Sequence, residues 1–495
     1  MKRSCPLFVP RAAGLGLVTA MLAACAVGPD FVRPAPPDTD RYTRLAQPAA
    51  TVAADGQAQR FGSSPVLPSG WWQLFKSAPL DAMVRQAVAN NPTLQAAEAS
   101  LRQSQDNLRA GDGVFYPRLD AGLGASRQLP GPSQEGGRTT GTIFNLFTLS
   151  GTISYVLDVF GGERRMVEGL QAQADAQFYA SKAAYVTLTA NVVDTSIARA
   201  AYAAQIVTTG QLLTLEHEQL RLTRAQVQAG TVAYGNVPAL LSVIATNEAT
   251  LAPLRQKVSQ TEHLLATLEG VTPALANLPE IELAAIVLPT DLPVSLPSDL
   301  VRERPDIMAA EAQMHVASAN IGVATAAMFP SFSLTGTFGT AGSSLGQLTG
   351  GSGKFWSVGP TVAVPLFQGG TLWYGRQAAI DAQHQAAAVY RQTVLGAFAQ
   401  VADALKGLEH DAEALQSQVE ARRAAAETLD LLQTGYRAGL VADLDLLSAE
   451  VQYHQVTLAY LQSVAQREQD TVALFVALGG GWWNGPVPAE GGGGP

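Results

Sequence analysis

Cysteine is nearly absent from this chain of 495 residues: the two present, Cys5 and Cys25, both fall in its first twenty-five positions. A disulfide framework, a thiolate zinc site and a thiol nucleophile are therefore excluded from the body of the chain. Charge is scarce as well. Asp, Glu, Lys and Arg make up 15% of residues, against roughly a quarter in soluble domains. The net charge of −9 argues against a nucleic-acid partner, which needs a Lys/Arg surplus to neutralise phosphates. With 47% hydrophobic residues the bulk of the chain is not disordered, because disorder needs low hydrophobicity and high charge. Catalytic motifs are missing too. Gly342-Ser343-Ser344-Leu345-Gly346 matches G-x-S-x-G in letters only, lying in a loop between two strands rather than on a strand–turn–helix elbow. Gly353-Lys354-Phe355 lacks the leading Gly and the Ser/Thr of a phosphate loop. The six His are scattered without H-E-x-x-H spacing, and no metal site or other cofactor is expected.

The N-terminus reads as an address. Lys2, Arg3 and Arg11 precede an uncharged run, Ala12 to Ala24, that closes on Leu22-Ala23-Ala24-Cys25. A basic region, a short apolar region and small residues before a cleavage point make a secretory signal, and the run is too short to span ~30 Å of hydrocarbon as a helix. Leu-Ala-Ala-Cys resembles a bacterial lipobox. That resemblance implies a signal peptide over 1–24, cleavage before Cys25, a diacylglycerol on its sulfur and an acyl chain on its new amino group. The competing reading is an ordinary signal peptide with an unrelated cysteine. Ala26, where an Asp usually retains lipoproteins at the inner membrane of Gram-negative bacteria, implies sorting to the outer membrane.

The mature chain is a repeat. Asn91-Pro92 before Ala96-Ala97-Glu98-Ala99 and Arg304-Pro305 before Ala309-Ala310-Glu311-Ala312 stand 213 residues apart, as do Tyr116-Pro117 and Phe329-Pro330. Ala229-Gly230 and Ala438-Gly439 follow at an offset of 209. After an extended leader (25–75), two halves, 76–270 and 299–479, share one plan across a Pro-rich linker (271–298), and a Gly-rich tail (480–495) ends the chain.

Within each half the apolar period changes from helix to strand and back. Residues 91–113 and 304–327 suit helix. Strands are expected at about 115–128, 145–160, 329–341 and 355–367. Phe332, Leu334 and Phe338 alternate with Ser333, Thr335 and Thr337, and Trp356, Val358, Val362 and Val364 repeat the pattern. From Ala312 to Gly375 the sole charged residue is Lys354. Strands of about ten residues with one apolar and one small-polar face are the signature of a membrane β-barrel. Long Pro-poor helices follow, expected at about 163–229, 237–269, 371–438 and 446–478. The third carries a heptad through Val394, Val401, Leu405, Leu408, Ala412, Leu415, Val419 and Arg422, with only the Arg out of character. Leu447, His454, Leu461, Ala465, Glu468, Val472 and Phe475 continue it on the next helix. Trp71-Trp72 and Trp482-Trp483 fit either interface anchors or collar packing.

Four strands cannot close a barrel, which needs about eight, and open edges in lipid leave backbone groups unpaired at several kcal/mol each. The barrel must be shared between chains. Lipobox, Gly28-Pro29-Asp30-Phe31, the duplicated helix–strand–strand–helix plan and Gly435-Tyr436-Arg437-Ala438-Gly439 before Asp445-Leu446-Leu447 together resemble the TolC-type outer membrane factors, in their lipoprotein branch serving RND efflux systems (NodT-like). The resemblance implies an α+β membrane protein. Its homotrimer would share a 12-stranded β-barrel, continued by a long periplasmic α-helical coiled-coil barrel. It implies a non-enzymatic outlet channel for a tripartite efflux pump, with a periplasmic membrane-fusion adaptor, an inner-membrane RND transporter and outer-membrane lipid as partners. A type I protein-secretion outlet of the same fold and a structural periplasm-spanning lipoprotein are the alternatives. By the same resemblance the gate lies at the helix tip, with Asp445 at an acidic-ring position, Ser448 where relatives often have Asp, Asp443 and Glu450 as nearby substitutes and Leu444 as a constriction. Tyr436 and Arg437 resemble an inter-helix latch. The competing reading makes Asp443 and Asp445 helix-dipole charges and Tyr436 and Arg437 ordinary coil residues.

Overall fold

The computed structural model describes residues 26–62, 67–129, 143–351 and 353–484. Cys5, Cys25 and the signal segment, most of the first inter-strand loop and the end of the Gly-rich tail lie outside them. In chain order the elements are β1 (Arg60–Gly62), α1 (Ala78–Asn90), α2 (Pro92–Asp112), β2 (Arg118–Gln128), β3 (Phe144–Leu157), α3 (Gly162–Gln228), α4 (Asn236–Leu268), β4 (Asp291–Pro293), α5 (Pro297–Glu303), α6 (Pro305–Ala326), β5 (Ser331–Gly342), β6 (Lys354–Ala363), α7 (Thr371–Arg437) and α8 (Asp443–Ala477). The first strand starts at Arg118 rather than near 115, because Gly113–Phe115 forms a 3-10 turn ahead of Pro117. The strands at 145–160 and 355–367 stop earlier than expected, at Leu157 and Ala363. The leader is not wholly extended: Trp71–Phe75 is a 3-10 helix, and β1 pairs in parallel with β4.

Two compact units are present, and each is described by itself. One comprises 26–33, 101–177 and 310–390. Its centre is an antiparallel sheet of order β2-β3-β5-β6. Register brings Leu123 opposite Leu149, Ile153 opposite Gly336 and Phe338 opposite Trp356. These share the apolar face, on which Phe338, Trp356, Val358 and Leu123 are exposed. The other face carries Ser150, Thr152, Ser154, Ser333, Thr335, Thr337 and Ser357, and the hydroxyls of Thr152 and Thr337 approach to 3.5 Å. On this small-polar face the charged residues are Arg118 and Asp120, paired at 2.8 Å where β2 begins.

The leader is strapped to this unit. Val27 N–H donates to the Phe160 carbonyl at 3.0 Å. Gly28, at φ +97°, crosses Gly322 so closely that a Cβ would meet its Cα at 2.5 Å. Arg165, almost fully buried, pairs with Asp30 at 2.6 Å and Glu168 at 2.7 Å. His315 bonds Glu168 at 2.9 Å and stacks on Phe31 with ring centroids 4.3 Å apart. Arg33 closes the strap on Glu311 at 2.6 Å.

The other unit comprises 34–62, 67–100, 178–309 and 391–484 among the described residues. Its core gathers Trp71, Phe75 and Phe475, all fully buried, in mutual edge and tilted contact. Trp482 sits against Phe178 and Tyr179 and donates to the Glu303 carbonyl at 2.7 Å. Both tryptophan pairs therefore act in packing. Arg467, 1% exposed, donates to Gln59 Oε1, Thr51 Oγ1 and the Ala54 and Gln57 carbonyls. The heptad of α7 is buried from Val394 to Leu415. Its odd member Arg422 lies over the Tyr460 ring at 4.2 Å, a cation–π contact that explains its place on an apolar seam. Asp411 of α7 hydrogen-bonds Asp470 of α8, and burial beside that second carboxyl pushes it up to about 7.

The duplication also appears in how the ends are tied. Asn91 Nδ2 donates to the carbonyl of Leu268, the last residue of α4, at 2.9 Å. Arg304 Nη1 donates to the carbonyl of Ala477, the last residue of α8, at 2.8 Å. Different side chains at equivalent positions satisfy the same orphan helix-terminal acceptor.

Candidate functional site

The tips of the two helical hairpins, α3–α4 and α7–α8, are built alike. At the first, Thr231 N–H reaches back to the Gln226 carbonyl and Gly230 N–H to Val227, with Gly230 at φ +71°. At the second, Leu440 N–H reaches Gly435 and Gly439 N–H reaches Tyr436, with Gly439 at φ +73°. This is the paired bonding of a Schellman stop, which needs a left-handed residue and so selects Gly. The same bonds recur at Gly270 and Gly479, where α4 and α8 end.

α8 begins at Asp443 after Ala442, which has no side chain to cap the exposed amides. Asp443 and Asp445 thus occupy the first turn, where the positive end of the helix dipole favours carboxylates. Asp445 is exposed, Leu444 half-buried and Leu447 buried. Ser448 does more than fill an acidic residue's place. Its hydroxyl accepts from Gln219 Nε2 at 3.0 Å and donates to the Leu444 carbonyl at 2.8 Å, tying α8 to α3. Tyr436 and Arg437 stand exposed at the end of α7, and among the described residues their side chains make no hydrogen bond or ion pair within the protomer. All six tip residues thus fall between Tyr436 and Ser448, at the end of α7 and in the first two turns of α8, on either side of the Gly439 stop.

Beneath the first tip the α3–α4 seam packs Leu213 and Leu220 against Val237 and Ile244. Glu216, fully buried, accepts from Asn247 Nδ2 at 2.5 Å, and burial raises its carboxyl above the ordinary range. No signal in the sequence separated this acid from solvated ones, since it opens the polar run Glu216-His217-Glu218-Gln219. His454, on the α8 seam, lies edge-on to Tyr453 with burial lowering its imidazole, as a packing residue does. Among the described residues no cluster of His, Cys, Asp and Glu could hold a metal ion.

A shared-barrel sheet with two open edges and paired helical hairpins defines an outer-membrane channel subunit, and sequence comparison agrees. The model of the outer membrane efflux protein family matches residues 83–271 and 296–480, the two halves of the repeat. The chain belongs to that family. It is 29% identical over 472 residues to the cation efflux system protein CusC of Escherichia coli O6:H1, covering 94% of this chain and 97% of that one. It is 29% identical over 471 residues to outer membrane protein OprJ of Pseudomonas aeruginosa, covering 94% and 95%. Among solved structures, the outer-membrane channel OprN superposes with a TM-score of 0.80 at 28% identity, over 92% of this chain and all of that one. The open state of the Neisseria gonorrhoeae MtrE channel superposes with 0.72 at 26%, over 92% and 99%. The chain is an outer-membrane efflux channel: three copies contribute four strands each to one barrel, and the helices form the periplasmic barrel.

Proposed function

We propose that this channel is the outlet of a tripartite pump, receiving cargo from an inner-membrane RND transporter through a periplasmic membrane-fusion adaptor that docks on the helix tips. The carrying observation is the second tip. It presents Tyr436, Arg437 and Asp445 to solvent, without side-chain partners among the described residues, around a Schellman stop. In a trimer three acidic first turns and three Tyr-Arg pairs would stand where neighbouring hairpins meet. Asp445, with Asp443 beside it, would line a cation-favouring constriction closed by Leu444, and Tyr436 and Arg437 would latch it to the adjacent coil. The same surface would serve a type I secretion adaptor. The spacer alternative is disfavoured by the sheet, because a spacer needs no lipid-facing strands.

Cys25 would carry a diacylglycerol and an N-acyl chain that anchor the leader in the outer membrane. The chain would catalyse no reaction and require no cofactor. Named relatives serve cations, toluene and pyoverdine, so cargo choice would rest with the transporter. The test is crosslinking in living cells from a photoreactive residue at Arg437, with the captured protein identified by mass. An RND-type adaptor supports the reading, an ABC-type secretion adaptor moves the channel to protein export, and no capture overturns docking at this tip.

A further inference from the structure

The unit that holds Arg467 contains a cavity of about 280 Å³ lined by the leader, the linker, α7 and α8. Its roof is the turn Ala54-Asp55-Gly56-Gln57. Ala54 and Gln57 exchange both backbone hydrogen bonds at 3.0 Å, with Asp55 at φ 51° and Gly56 at φ 77°. That is a type I′ turn, for which Asp-Gly is a favoured pair. The walls are apolar, from Leu283 and Ile286 of the linker, Leu415 of α7 and Val464 of α8.

Glu468 of α8 lines this cavity. It is 3% exposed, and its Oε2 is buried without a hydrogen-bond partner. An unbonded buried polar group costs about 1–3 kcal/mol, so an apolar residue would be the stabilising choice on this heptad seam. Burial alone pushes the carboxyl up to about 9, so it is uncharged at neutral pH.

The other charged and titratable groups around the cavity decide what it can accept. Arg467 is committed to Gln59, Thr51 and the carbonyls of the turn. The Tyr460 hydroxyl donates to Asp55 at 2.6 Å, and Arg422 covers the Tyr460 ring. Asp411 of α7 acts on Arg467 from farther off. What lines the cavity is acceptor capacity, on the Glu468 carboxyl and on Asp55, which also accepts from Tyr460. An anion would face Asp55 with no uncommitted cation to receive it. An ammonium group would meet acceptors alone.

We propose that the cavity beneath the Asp55-Gly56 turn is a binding site for a small lipophilic amine, its apolar body between Leu283, Ile286, Leu415 and Val464 and its ammonium donating to Glu468. An apolar cavity of about 150 Å³ accepts benzene, so a single-ring amine fits this space. The ligand arrives protonated. Glu468 releases its proton to solvent, and an ion pair forms in which the ammonium N–H replaces the lost carboxyl O–H. One proton is released per amine bound.

The inference is independent of the outlet reading, and the test uses the detergent-purified full chain. Benzylamine is titrated calorimetrically at pH 6, 7 and 8, in buffers of differing ionisation enthalpy. Benzyl alcohol and phenylacetate are the neutral and anionic controls. Benzylamine affinity is expected to rise about tenfold per pH unit with release of one proton, while benzyl alcohol shows no pH dependence and phenylacetate does not bind. Glu468→Gln, which matches the uncharged native group, is expected to lose at least tenfold in benzylamine affinity together with the pH slope. Val464→Phe, which fills the cavity, is expected to abolish binding of both ring probes. Benzylamine binding no tighter than benzyl alcohol, an unchanged pH slope in Glu468→Gln, or binding untouched by Val464→Phe overturns the site. Should Glu468→Gln not assemble, the wild-type pH slope and Val464→Phe decide alone.

Discussion

Arginine placed at two consecutive positions of β5 gives opposite outcomes if the sheet faces are assigned correctly. Phe338 lies on the apolar face, opposite Gly151 and Trp356, and is 60% exposed in the protomer. In the barrel that exposure is to lipid. A charge on the lipid face costs about 2–4 kcal/mol near the midplane. Three copies per barrel make that about 6–12 kcal/mol, enough to remove assembled trimer. Thr337 lies on the small-polar face between Thr152 and Ser357. There an arginine loses only the weak contact with Thr152 and keeps its charge in the aqueous lumen. The measurement is the fraction of heat-resistant trimer on a denaturing gel, followed by single-channel recording of whatever assembles. Phe338→Arg is expected to leave essentially no trimer. Thr337→Arg is expected to form trimer with lowered conductance and a shift toward anions. Equal trimer yields, or the reverse order, would refute the face assignment and with it the shared lipid-facing barrel.

Asp445→Ala combined with Tyr436→Phe is expected to raise single-channel conductance in a planar bilayer, and unchanged conductance counts against a gate at this tip. Gly28→Ala, forced into a left-handed conformation and into Gly322, is expected to free the leader, read as new protease cleavage between residues 26 and 33, whereas Asp38→Ala in the exposed leader leaves cleavage unchanged. For Asp411, held near 7 beside Asp470 against about 4 unfolded, the folded state binds the extra proton between those values. That contribution to stability is present below about pH 4 and lost as pH rises through about 7. Asp411→Asn is therefore expected to raise the trimer melting temperature at pH 8 and leave it nearly unchanged at pH 4, and equal shifts at both would remove the shared-proton account. Trp71→Ala should cost about 3–5 kcal/mol of stability through the cavity it leaves among Phe75 and Phe475, seen as loss of heat-resistant trimer.

Much of the fold was written locally. The single charge between Ala312 and Gly375, the Ser/Thr alternation from Phe332 to Phe338, and Gly230 and Gly439 after long Pro-poor runs each depend on one or two neighbouring positions. What escaped the sequence depends on residues far apart in it. Nothing near Arg165 announces Asp30 as its partner, and nothing near Arg422 announces Tyr460. Trp71 was open between anchor and core because burial depends on Phe475, some four hundred positions away. The tip is intermediate. The residues are adjacent and so were found together, but in a first helical turn Asp443 and Asp445 satisfy dipole and gate alike. The gate proposed for them would form only between chains. Glu468 was visible only as a heptad position, and its isolation is a property of the cavity beside it.

The sheet order sets β3 of the first repeat against β5 of the second, leaving β2 and β6 as the free edges. A trimer therefore closes six junctions between repeats, three inside chains and three between them. In an ancestor with one repeat per chain, all six would be encounters between separate molecules. The linker 271–298 turns half of them into intramolecular events at high effective concentration. Carrying two repeats in one chain thus leaves three bodies to assemble in place of six. It also lets paired positions differ, as Asn91 and Arg304 do, without each residue being repeated six times around the ring.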